Sequence, residues 1–318
     1  MALERIPVAE RDVATGPVAA PAAYVPGKGS AAALTTAGSA PKRRIVGTPS
    51  QWVVWGCVAL FFVFLGGVVF SVLVNSFGSA WYNTWLPEGF TTHWYADSWR
   101  EFRLGQVVIV TLEVAFAVIA IAVLLGVPAS YVLARKSFPA KQLFYGVFLL
   151  PVLMPPITYG IPLATVLYKA GLAGTIWGVI AANLVPAVPF VIMTMTPFIE
   201  QINPSIESAA RMSGAKTGVI FTRILAPLLV PGILASCVLI LVRTVGMFEL
   251  TFLTSGPTSN ALVVKLYYAM NAAGIRAQQS VDAMAVIYMI SMLVILIIAL
   301  RFVNPTQLVA RVRDETLD

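Results

Sequence analysis

Only a few side chains in this sequence could do chemistry inside an apolar environment. Glu113, Arg243 and Glu249 lie in or beside long hydrophobic runs. A charge at the middle of a membrane span costs about 2.5–3.5 kcal/mol on the translocon scale, so each of the three must face protein or water. Arg243 and Glu249 are six residues apart, on different faces of one helix, which argues against a direct intrahelical pair. Glu113, about nine residues into its own run, is expected to partner Arg243. The set reads either as the lining of a polar path that touches a solute or as a structural pair joining two helices. Asn183 is a further lining candidate, and Thr244 and Thr251 are weaker ones. Other chemistries find no residues. No GxxxxGK[ST] phosphate loop occurs, and no set of polar side chains converges as an enzyme requires. His93 is the one histidine and has no Cys or His partner at ligand spacing, so no metal site is expected. Cys57 and Cys237 sit in apolar runs and read as small buried hydrophobes, with no disulfide implied.

Composition says what must position these groups. Hydrophobic residues make up 58% of the 318-residue chain and charged residues 11%, against about 25% charged in a soluble domain. The class is an all-α integral membrane protein. The net charge of +7 does not mark a nucleic-acid binder, because the basic residues flank apolar segments instead of forming a stripe.

Residues 1–50 are rich in Ala, Pro, Gly and Ser, cannot bury a core and are expected to be a disordered tail. They are too long for a secretory signal, and the apolar run after Lys42, Arg43 and Arg44 is long enough to span. Six spans are expected between residues 51 and 303: Trp52 to Asn75, Leu104 to Ala134, Leu143 to Tyr168, Thr175 to Phe198, Leu228 to Leu250 and Asp282 to Phe302. Each approaches or exceeds the roughly 20 residues that cross a ~30 Å hydrocarbon layer. Prolines 155 and 156 should kink the third, and Pro186 and Pro189 lie within the fourth. Residues 76 to 103 read as a loop, and a short apolar helix is expected near Leu262 to Met270. Tyr159, Tyr168, Trp177, Trp81 and Trp85 fit interfacial anchors.

With the N-terminus inside, the inner segments carry Arg5, Arg11, Lys28, Lys42, Arg43, Arg44, Arg135, Lys136, Lys141, Arg211, Lys216, Arg223, Arg301, Arg311 and Arg313. The outer ones carry Arg100, Arg103, Lys169, Lys265 and Arg276. Fifteen against five is a clear positive-inside bias, and it places both termini in the cytoplasm.

The stretch from Ile199 to Pro231 is amphipathic and falls on that cytoplasmic side. Asn203 is expected to cap a helix that begins at Pro204, where the missing N–H costs nothing. Ile202, Ile206, Ala209, Ala210 and Ser213 share one face, and the two alanines let a partner backbone approach. Gly214 can take the left-handed conformation that ends the helix. Thr217 is expected to cap a second helix carrying Ile220, Phe221, Ile224 and Leu225, with Pro227 and Pro231 at re-entry into the next span. A docking element on one side and proline-broken helices within the membrane suggest a translocation path driven by a partner.

This loop resembles the EAA loop in permease subunits of binding-protein-dependent ABC importers, in which EAA, three residues, Gly, nine residues and Ile-x-Leu-Pro follow in order. Ala209, Ala210, Gly214, Ile224 and Pro227 stand at that spacing. Ser208 occupies the Glu position, with Glu207 one residue earlier and ~100° away on a helix, and Ala226 occupies the Leu position. The resemblance runs from about Leu104 to the end of the sixth span. It implies the six-helix ABC importer permease fold with a cytoplasmic coupling (EAA) loop at 199–227 and a cytoplasmic tail at 304–318. It also implies that Ile206, Glu207, Ala209, Ala210, Met212, Gly214, Ile224 and Pro227 form the ATPase-coupling element. Of these, Ile206, Ala209, Ala210 and Met212 would pack against the ATPase, and Gly214 would set the elbow angle.

The implied protein is not an enzyme. ATP and Mg belong to a cytoplasmic ABC ATPase dimer, and this chain needs no cofactor. Its other implied partners are a second, distinct permease subunit, an extracytoplasmic solute-binding protein and membrane lipid, in a bacterial inner membrane. Arg211, Lys216 and Arg223 are too few for the broad basic face of a helix lying on lipid headgroups. A stand-alone secondary transporter or channel would not need the cytoplasmic elbow. The run Phe248 to Pro257 is similar to stretches in both sugar-type and polyamine-type permeases, and Phe90 to Tyr95 resembles the polyamine branch. Paired acids suited to a cationic substrate do not precede Phe248; only Glu249 is near. That scarcity tilts the expected solute toward a sugar or polyol, with a polyamine or another small organic ion as the alternative.

Overall fold

The computed structural model describes residues 49–81, 87–271 and 277–301. Residues 1–48 of the expected N-terminal tail, the tail at 304–318, Trp85, Arg276 and Phe302 lie outside them. The chain divides into two units, Met1–Val58 and Ala59–Asp318. Of the first, the described part is the opening turns of α1 (Pro49–Phe77), exposed from Gln51 to Val58. Cys57 is therefore exposed, not buried as expected, because an apolar side chain here is matched to hydrocarbon and needs no protein cover.

The second unit carries α2 (His93–Glu101), α3 (Leu104–Arg135), α4 (Lys141–Leu153), α5 (Pro156–Lys169), α6 (Ile176–Glu200) and α7 (Pro204–Met212). There follow α8 (Thr217–Ile220), a π-helical turn (Phe221–Leu225), α9 (Ala226–Val245), α10 (Phe248–Thr254), α11 (Leu262–Asn271) and α12 (Gln278–Arg301). The core is built where α3, α6 and α9 meet, around Val118, Val191, Met195, Ile199 and Leu229. Gly126 allows the close approach: a Cβ there would lie 2.6 Å from the Val191 Cβ. Small residues serve this purpose between apolar helices, where packing replaces the hydrophobic drive. A hydroxyl pair, Thr194 with Ser236 at 2.9 Å, ties α6 to α9.

Helix ends follow the sequence closely, with four differences. The loop expected at 76–103 contains α2, which docks on α12 through Ser98 Oγ donating to the Ser280 carbonyl at 2.9 Å. The third expected span is two helices bent by 98°. Met154 and Pro155 each precede a proline, which disfavours the α region, and they leave it with ψ of 144° and 132°. The fifth expected span ends at Val245, and Glu249 falls on the separate helix α10. Thr217 does not cap a second helix: Lys216 holds that position, and Thr217–Val245 runs as one element with the π turn inside it.

The number of crossings follows from one contact. Arg135, at the end of α3, pairs with Glu207 on α7 at 2.7 Å, so these two points lie at the same end of the bundle. The 25 residues of α6 cover ~37 Å at 1.5 Å per residue, so its start at Ile176 lies at the opposite end. If α6 crosses a membrane, the chain from Lys136 to Thr175 must cross as well, through α4 and α5. Among the described residues α1, α3, α6, the Thr217–Val245 element and α12 are long and apolar enough to span, and the bent pair counted as one span makes up to six. At the far end, Gly174 N donates to the Thr254 carbonyl at 2.8 Å, and Leu104, Leu262 and Met284 pack together.

Candidate functional site

Helix α7 forms as its residues dictate. Asn203 is extended, and its side-chain oxygen accepts from Ser205 N at 2.9 Å, with Pro204 at the first helical position. At the other end Gly214 adopts φ +84°, and Ala215 N bonds back to the Ala210 carbonyl at 3.0 Å. The left-handed C-terminal turn satisfies carbonyls that would otherwise be orphaned.

The orientation of α7 comes from Glu207. Its side chain is 3% exposed and takes three donors: Tyr131 Oη at 2.8 Å, Arg135 Nε at 2.7 Å and Arg211 Nη2 at 3.2 Å. Arg135 also donates through Nη2 to the Ile202 carbonyl at the end of α6. One carboxylate thus binds the last turn of α3 and a neighbour on α7 itself, and Arg135 carries the tie on to the α6–α7 corner. A buried carboxylate fully engaged by charged and hydroxyl donors is stable where an unpaired one is not. Ser208, one residue on, is exposed and bonds only to its own helix at the Pro204 carbonyl. The acid of the loop therefore faces the bundle, about a quarter-turn from the position the EAA pattern gives it.

The other residues expected to couple divide between two faces. Ile206, Ala209 and Met212 are exposed, Met212 at 90%. Ala210 and Ile224 are partly buried against the α3/α6/α9 core, so neither belongs to the exposed face. Ile202, expected beside Ile206, is buried. Gly214 lies at the elbow, and Pro227 is exposed at the start of α9. Sequence reasoning missed Tyr131 and took Arg135 only as a flanking charge. Their spacing of four at the end of a span was the available signal.

The intramembrane polar groups do not assemble as expected. Glu113 is exposed on α3 and makes no ion pair with Arg243. The Arg243 guanidinium instead lies 5.4 Å from the Phe190 ring centroid, a cation–π contact that offsets part of its burial cost. Asn183 is buried and donates to the Val179 carbonyl at 2.9 Å and to Thr251 Oγ1 at 3.3 Å, joining α6 to α10. Tyr159, expected as an interfacial anchor, is half-buried beside Met247 and Leu250, whereas Tyr168 and Trp177 are exposed. Among the described residues no group of three His, Cys, Asp or Glu side chains converges to hold a metal.

The family model described as the binding-protein-dependent transport system inner membrane component matches residues 126–308, more than half of the chain. The chain belongs to this family. It is an ABC importer permease, a transport subunit that is not an enzyme. The permease is 31% identical over 157 residues to the trehalose transport system permease protein of Mycobacterium tuberculosis, a match covering 49% of this chain and 57% of that one. It is 26% identical over 257 residues to the spermidine/putrescine transport system permease protein of Escherichia coli, covering 80% of this chain and 93% of the relative. The permease thus spans little more than half the length of the first relative and nearly all of the second. Among solved structures, a bacterial ABC transporter involved in the import of alginate aligns with a TM-score of 0.64 and 14% identity, covering 81% of this chain and 99% of that chain. That likeness shows the fold.

Proposed function

We propose that this permease forms half of a pathway for a small sugar or polyol, delivered by an extracytoplasmic binding protein and moved by a separate ATPase that docks on the exposed face of α7. The inward anchoring of Glu207 carries this reading. By fixing α7 to α3 and α6, it presents Ile206, Ala209 and Met212 outward as an apolar strip on a polar helix. Exposed apolar surface rimmed by polar residues suits a protein interface. The three-way anchor makes the helix a rigid lever, which is what converting closure of an ATPase dimer into rocking of the spans requires. Ala210 and Ile224 brace the lever from behind, Gly214 sets its angle, and Pro227 begins the span it drives.

In this reading both termini, residues 136–140 and α7 lie in the cytoplasm of a bacterial cell, and the other half of the pathway is a second, distinct permease chain. Arg243 and Glu249, both partly buried, are the candidate pathway contacts in this reading; Asn183 is buried in a bond between α6 and α10, and Glu113 is exposed on α3. The near-full-length match to a spermidine/putrescine permease favours a polyamine as the second reading, with Glu249 as its counter-charge. The test is a thiol crosslink from Met212→Cys in the assembled complex. A product with a co-purified ATPase is expected. If no such product forms, or if Met212→Cys is labelled only from outside the cell, the coupling role is wrong.

A further inference from the structure

The end of α3 and the start of α4 frame a cavity of about 280 Å3 that no pathway or coupling residue lines. Ala129, Val132 and Leu133 of α3 form one wall, Phe144 and Phe148 of α4 the other, and Phe138 comes from the turn between them. Phe138 meets Phe144 edge to face, with centroids 6.0 Å apart. All the lining side chains are apolar, so ordered water finds no partner there. Helix α4 leans on α6, and the cavity stays open on its outer side, where Val132 is 45% and Phe144 52% exposed.

Both walls end in a lysine. On α3 the positions 129, 132, 133 and 136 follow one helical face, and the Lys136 N–H still bonds back to the Val132 carbonyl. On α4 Lys141, Phe144 and Phe148 share one face in the same way. Residues 136–140 alone join the two helices, so both lysines lie at the same end of the cavity, where the apolar span α3 stops. Neither lysine has a hydrogen-bond or ion-pair partner among the described residues, whereas Arg135 is engaged by Glu207 and the Ile202 carbonyl. No Asp or Glu occurs between Glu113 and Glu200, and Glu200, exposed at the end of α6, pairs with neither lysine. Helix α4 also begins without a side-chain cap, so the positive end of its dipole adds to the two charges.

We propose that this groove binds one anionic phospholipid of the bilayer, whose acyl chain fills the cavity and whose phosphate meets Lys136 and Lys141. Hydrocarbon matches the walls, and basic residues at a membrane surface attract anionic headgroups. A soluble anion would make no use of the apolar walls, and a zwitterionic lipid would leave the two lysines without a net counter-charge. The site goes beyond the importer reading and does not rest on it, since it needs only that α3 and α4 meet at a membrane surface.

The experiment uses the assembled transporter in nanodiscs of phosphatidylcholine. A small fraction of the lipid carries a photoreactive group on one acyl chain, on either phosphatidylglycerol or phosphatidylcholine, and the adducts are located by peptide mapping. Phosphatidylglycerol is expected to label residues 129–148 in preference to phosphatidylcholine. Lys136→Gln and Lys141→Gln should each lower that preference about fivefold, and Lys136→Arg and Lys141→Arg should keep it. Phe148→Trp, which fills the cavity, should reduce the adducts of both lipids there with recovery of the complex unchanged. Equal labelling by the two lipids, or a preference that the glutamine variants leave unmoved, makes the groove an ordinary hydrocarbon contact and overturns the site. So does a groove that yields no lipid adducts because another protein chain covers it. The Met212→Cys crosslink tests the importer reading separately, so failure of one is distinguishable from failure of the other.

Discussion

Glu207 decides which way α7 faces. With its side chain 3% exposed against Arg135 at 11%, this is a buried pair, while the Arg211 partner is 52% exposed and adds little. Removing one member of a buried pair typically costs about 3–5 kcal/mol, because the other charge is left unmet. Glu207→Ala is expected to lose stability of this order and to hydrolyse ATP without uptake. Ser208→Ala, at the position where related loops carry their acid, should change neither. Thermal unfolding of the purified transporter and the ratio of uptake to ATP hydrolysis check both. Glu207→Gln, whose amide oxygen still accepts from Arg135 or Tyr131, should fall between. If the two alanine variants behave alike, the inward anchor is not what orients the helix.

At the scale of helices, the sequence held most of what the structure shows. Span ends, the Asn203 cap, Pro204 and the Gly214 stop were legible because each depends on a few neighbouring residues. The 98° break at Met154–Pro155, the separation of α10 and the docking of α2 were not. A proline pair reports that a helix is interrupted, not by how much, since the angle is set by what α5 packs against. Nor does a composition that reads as a loop exclude a helix whose partner is distant in sequence, as Ser98 and Ser280 are. The candidate site was half legible: spacing located α7, but its facing depends on Tyr131 and Arg135 in another span. Two element-level outcomes follow. Gly126→Leu forces a side chain into the Val191 contact at 2.6 Å and should destabilise the α3–α6 pair, by about 1–3 kcal/mol as for other overpacked interfaces; thermal unfolding measures it. Ala209→Trp, on the exposed face of α7, should leave insertion and stability intact and abolish co-purification of the ATPase. Normal ATP-driven uptake by this variant would place the docking surface elsewhere.

At the scale of the whole molecule, the side on which α7 lies is a question of parity. The Arg135–Glu207 contact holds the end of α3 and the start of α7 at one membrane face whichever way the chain is inserted. Between those points run the bent pair α4–α5 and the long helix α6, so the pair crosses if α6 does. The proposed orientation takes this face as cytoplasmic from the positive-inside bias, since Arg135, Lys136, Lys141, Arg211, Lys216 and Arg223 gather there. Single cysteines in a chain freed of Cys57 and Cys237 can read both statements at once. Ser137→Cys and Met212→Cys should be labelled only from the cytoplasm, and Gly171→Cys and Thr258→Cys only from outside. Labelling of Gly171→Cys and Ser137→Cys from the same side would make α4–α5 a re-entrant hairpin. That would require α6 to carry Glu207 away from Arg135, so this single result would contradict both the six-span count and the anchor on which the lever depends.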